Sequence, residues 1–158
     1  VWEMTAQLER PADDLVVAAM SRRQAEVATL DYRRALKHLD SQGRPQSEVA
    51  RVLGVSQPAL SQSLKAARKV VEVAPGFSGA GPYEICQRYS LGQLTREQLI
   101  EELVRWEYAP IPEPEWLEDI VPSPGPGSWR EVQKAHREGL IDDGTYDEVA
   151  DRKYPQAS

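Results

Sequence analysis

The stretch from Gln46 to Lys65, QSEVARVLGVSQPALSQSLK, decides how the rest of the chain is read. Taken as a helix, its first half places Val49, Val52 and Leu53 on one face, with Ala50 beside them. Gly54 follows, and glycine ends a helix at low cost because it enters the left-handed region without a steric penalty. Val55 then plugs the corner. Ser56 is a good N-cap for a second helix, and Pro58 is tolerated in that helix's first turn. Leu60 and Leu64, one turn apart, point back at the first helix. The expectation is two short helices joined by a glycine-containing turn, a helix-turn-helix, whose second helix can enter the major groove of DNA.

The order of these residues resembles the helix-turn-helix of phage Cro proteins and repressors. Gln46 opens the first helix, Ala50 stands at the tight crossing, Leu53-Gly54-Val55 forms the turn, Gln57 opens the recognition helix and Leu60 lies in the core. Repressors, partition proteins, sigma factors and antitoxins share this pattern, so it marks a fold rather than one protein. Pro58 departs from it, standing where a small polar base-contacting residue is common. The resemblance implies that Gln57, Ser61 and Gln62 read base edges, and a glutamine can make a bidentate contact to adenine N6 and N7. Gln46, with the helix N-terminus behind it, would hold a phosphate. Lys65, Arg68 and Lys69, with Arg44 and Arg51, would contact further phosphates.

Charge is distributed unevenly along the 158 residues, whose net charge is -6. Residues 22–70 carry 10 Lys and Arg against 4 Asp and Glu, net +6. Residues 1–21 are net -3 and residues 71–158 net -9. A basic segment coinciding with a groove-binding motif, followed by an acidic half, is expected when one part binds double-stranded DNA and another binds something else.

Upstream of the motif, Thr5 to Glu9 reads as a weak helical start stopped by Pro11. A helix from Ala12 to Gln42 follows, with a break expected near Met20-Ser21 and Gly43 ending it. Within it, LVVAAM is apolar nearly all round, so something must cover it. One reading makes 12–32 a prop for the bundle, the other a dimerisation helix, since repressors often need two half-sites. Ala35, Leu36 and Leu39 are expected to pack on Val49, Leu53 and Leu60 as a three-helix bundle.

Downstream, APGFSGAGP (74–82) reads as a linker ending a helical DNA-binding domain of residues 1–73. A helical hairpin is expected over 83–107, with a capping box at Thr95-Arg96-Glu97-Gln98. Residues 108–127 hold six of the twelve prolines and read as an irregular linker. Within it, Trp116, Leu117, Ile120 and Val121 are candidate contacts to a protein partner. A second hairpin is expected over 128–154, with another capping box at Ser128-Trp129-Arg130-Glu131 and a last helix capped by Asp142. The two hairpins resemble each other: Leu91-Gly92-Gln93-Leu94-Thr95 followed by Leu99 matches Glu138-Gly139-Leu140-Ile141-Asp142 followed by Tyr146. The fold class expected is therefore all-α.

No set of residues points to catalysis. His38 and His136 are isolated, no Cys/His cluster has zinc spacing, and no glycine-rich loop follows a strand. Neither metal nor cofactor is expected. Cys86, the only cysteine, reads as a buried small apolar residue and suits the cytoplasm. No apolar run approaches the roughly 18 residues of a membrane span, and the opening VWEMTAQLERPADDL is too polar for a secretory signal. The function expected is a sequence-specific, dimeric DNA-binding regulator of bacterial or phage type, whose acidic C-terminal half binds a protein as an antitoxin binds its toxin. Alternatives are a phage repressor, a partition-type DNA binder, or an interaction adaptor that does not bind DNA.

Overall fold

The structure is a computed structural model that describes the backbone of residues 2–110 and 126–155, and the side chains of 13–110 and 126–155. Those residues form seven α-helices: α1 (Trp2–Ser41), α2 (Gln46–Leu53), α3 (Gln57–Arg68), α4 (Pro82–Ser90), α5 (Arg96–Arg105), α6 (Trp129–Arg137) and α7 (Asp143–Lys153). No strand occurs among them; the only β-type pairing is one bridge between Ala109 and Ser128. None of the described helices is long and apolar enough to cross a membrane. The chain divides into two compact units, Val1–Glu72 and Val73–Ser158.

In the first unit, α1 runs unbroken for 40 residues. This corrects two expectations, the stop at Pro11 and the break at Met20-Ser21. A proline deletes one backbone donor at a local cost of about 3 kcal/mol, and the strong helix formers on either side carry the helix past it. Gly43, at φ 71°, ends it as expected.

The core of this unit is small. Leu36 from α1, Ala50 from α2, and Leu60, Leu64 and Ala67 from α3 are buried together, with Val49 packed against them. Helix α3 packs against both α1 and α2. Ala35 and Leu53, expected in this core, are not part of it: Ala35 is exposed and Leu53 is 39% exposed. Helix α2 is seated through Ala50 and Val49, while Val52 is 75% exposed. A groove of about 200 Å³ is left between Leu39, Arg44, Glu48, Val49, Val52 and Leu53.

Polar contacts lash the end of α3 to α1. Arg68 donates Nε and Nη2 to the two carboxylate oxygens of Asp40, at 3.0 and 3.2 Å. Arg34 donates twice to the Val71 carbonyl, at 3.1 and 2.9 Å, and Lys37 donates to that of Val70 at 3.0 Å. The Val70 and Val71 carbonyls lie just past α3, outside any helix ladder, and the two cations supply their donors.

In the second unit, α4 packs on α5 and α6, while α7 packs on α5 and α6. Ile85, Cys86, Leu99, Ile100, Leu103, Val132, Ala135, Leu140, Ile141 and Val149 close a single core. The two hairpins are thus halves of one body rather than separate modules. Their likeness extends to geometry. Gly92 and Gly139 both end helices in the left-handed region, at φ 77° and 75°. Thr95 and Asp142, three positions later in each case, cap the next helix through their side chains. Glu84 accepts from the backbone N–H of Ala80, four residues earlier, and Glu131 does the same with Gly127.

Two expectations fail here for local reasons. The capping box at Thr95 is complete, but the one at Ser128 does not form. Glu131 turns instead to the amides of Gly127 and Tyr83, and the Ser128 hydroxyl is buried with no hydrogen-bond partner. Residues 74–81 are also no free linker. Glu102 accepts from both the amide and the hydroxyl of Ser78, and Arg105 donates to the Gly76 carbonyl at 2.8 Å. Phe77 meets Trp106 edge-on at 4.8 Å, under the Arg105 guanidinium. The 108–127 segment lies outside the described residues except for its ends.

Candidate nucleic-acid interface

The turn between α2 and α3 sets the direction of α3. Gly54 adopts φ 69° and ψ 30°, and Val55 donates its N–H to the Ala50 carbonyl at 3.0 Å, closing the end of α2. No atom stands within 4 Å of where a Cβ on Gly54 would lie, so the demand for glycine is set by backbone angle and not by space. Ser56 then caps α3, accepting from Ala59 N–H at 3.2 Å. Val55 itself is 38% exposed and only partly fills the corner.

Helix α3 has two sides of opposite character. Leu60, Leu64 and Ala67 face the core at 0, 4 and 0% exposure. Gln57, Ser61, Gln62, Lys65 and Lys69 are all exposed. At 100° per residue, Ser61, Gln62, Lys65 and Lys69 fall on the flank away from that core, while Gln57 stands at the helix start. Pro58 is exposed on the same flank as Gln62. Lys65 and Lys69 are exposed and form no ion pair among the described residues.

The remaining basic positions behave differently from one another. Arg51 is exposed on α2. Arg44 is exposed and meets Glu48 at 3.4 Å, a long and half-solvated pair that costs little to break. Gln46 is exposed at the first position of α2, where Pro45 supplies no side-chain cap and leaves the first amides open. Arg68, assigned a phosphate by sequence, is held by the bidentate pair with Asp40. The hydrogen bond from Arg68 is the largest influence on Asp40, keeping its carboxyl below the ordinary 3.8. That pair spans 28 residues, so no local pattern could reveal it. Trp116, Leu117, Ile120 and Val121 lie outside the described residues, and no group of three His, Cys, Asp or Glu among the described residues could hold a metal ion.

The surface is therefore an exposed helix flank bearing amides and a hydroxyl, edged by Lys65 and Lys69. Its side chains offer hydrogen-bond donors and acceptors and positive charge. No protein-family model, curated protein or solved structure matches the chain.

Proposed function

We propose that α2 and α3 form a DNA-binding helix-turn-helix, and that the chain is a sequence-specific, dimeric transcription regulator acting in the cytoplasm. The observation that carries the reading is the two-sided α3, apolar against its own core and lined outwardly by Gln57, Ser61, Gln62, Lys65 and Lys69. Amide side chains suit base edges in the major groove, and flanking cations suit phosphates. The net +6 of residues 22–70 supports the same partner.

The acidic C-terminal half, net -9, is unsuited to phosphates and on this reading engages a protein, as an antitoxin engages its toxin. The proline-rich 108–127 segment, with Trp116, Leu117, Ile120 and Val121, is the proposed contact. Proline-rich chain loses less entropy on docking than a flexible chain does. The experiment is selection of bound fragments from a random DNA pool by the full-length protein. Enrichment of one motif is the expected result; recovery of unenriched DNA, or of none, would reject sequence-specific binding.

A further inference from the structure

The apolar run on α1 has no role in the DNA-binding reading. Leu15, Val16, Val17 and Met20 are 70, 57, 64 and 43% exposed, and the alanines between them are exposed as well. On the helix, Asp13, Val16, Met20 and Arg23 succeed one another at spacings of three, four and three, and so line one stripe. The stripe is self-complementary. Its spacing is the same in either direction, and reversal exchanges its acidic end for its basic end.

We propose that this stripe joins two copies of the chain, their α1 helices running antiparallel about a two-fold axis level with Ala18. In that register Val16 packs on Met20 of the second copy, Val17 lies by Ala19, and Asp13 faces Arg23, which is half-buried and also interacts within its own chain. Each contact occurs twice, as an isologous interface requires. A parallel pairing would set Asp13 and Asp14 against their own counterparts, and Arg22 and Arg23 against theirs, with like charges opposed at both ends. A lipid surface would call for basic residues along the whole polar border, and this one is acidic at its N-terminal end. A different protein would have to present the reversed order of charges, which a second copy already carries. The pairing does not depend on DNA.

Sedimentation equilibrium of the full chain without DNA tests it. The wild type is expected to dimerise, and Val16→Glu with Met20→Glu to be monomeric with unchanged helical circular dichroism. Asp13→Arg alone, or Arg23→Asp alone, is expected to weaken association by about tenfold or more, from two opposed like-charge contacts per dimer. The double variant Asp13→Arg/Arg23→Asp is expected to recover it, because the reversed charges again face each other. An equimolar mixture of Asp13→Cys and Arg23→Cys proteins should form a mixed disulfide faster than either alone. A wild type that is monomeric at about 100 μM, a dimer indifferent to the Val16 and Met20 changes, or a double variant as weak as the singles would each overturn the proposal.

Discussion

A cysteine with no exposed surface is a small apolar side chain before it is a thiol. Cys86 is fully buried, and burial, with the Glu131 carboxylate adding to it, pushes the thiol up to about 12. At neutral pH the nucleophilic thiolate is therefore scarce. Thiol reagents should leave Cys86 unmodified in the native chain and react once denaturant unfolds the second unit, as mass spectrometry would record. Fast labelling of native protein would mean that this core opens readily. What sequence reveals at this scale is what neighbours decide. The left-handed Gly54, the Ser56, Thr95 and Asp142 caps and the buried Cys86 each depend on residues within a turn or two, or on apolarity alone. Ser128 misleads because Glu131 finds competing donors at Gly127 and at Tyr83, the latter 48 residues away.

Helix existence is legible from pattern, but the way helices seat is not. The last helix begins at the expected Asp142 cap and ends at Lys153, whereas α1 passes through a proline that sequence rules treat as a stop. Ala35 and Leu53 also stay outside the core, because periodicity names the apolar face without saying how deeply it docks. What fixes α3 on α1 is polar as well as apolar, and this gives a pH dependence. The folded pKa of Asp40 is depressed by Arg68, so its contribution to stability is present above the unfolded value of 3.8 and is lost as pH falls through the folded value. Thermal melts of the first unit should drop as pH falls below about 5, and more shallowly in Asp40→Asn. The same pair alters what Arg68→Ala should do: loosen α3 rather than remove a phosphate contact. A wild-type melt matching that of Asp40→Asn across this range would deny the pair any role.

At the scale of the whole molecule, charge segregates with structure: the basic stretch belongs to the first unit, the acidic half to the second. The single core shared by α4 to α7 was not legible, because two similar hairpins carry no signal of whether they pack on each other. The proposed division of labour predicts that a fragment of residues 1–74 binds DNA at least as tightly as the full chain, having shed residues 75–158 with their repulsive net -8. It should also lose capture of any protein partner. Titration of one labelled duplex with both proteins measures the first. A fragment that folds yet binds much more weakly would place part of the DNA site in the second unit.

The most direct test of the central claim, that α3 reads sequence in the major groove, is a salt series of binding isotherms on the selected and a random duplex. Gln57→Ala should cost about 1–3 kcal/mol on the selected site and little on random DNA. Lys65→Ala should weaken both and lower the salt slope by about one unit. Equal losses on both duplexes for Gln57→Ala, or no change for either variant, would contradict it.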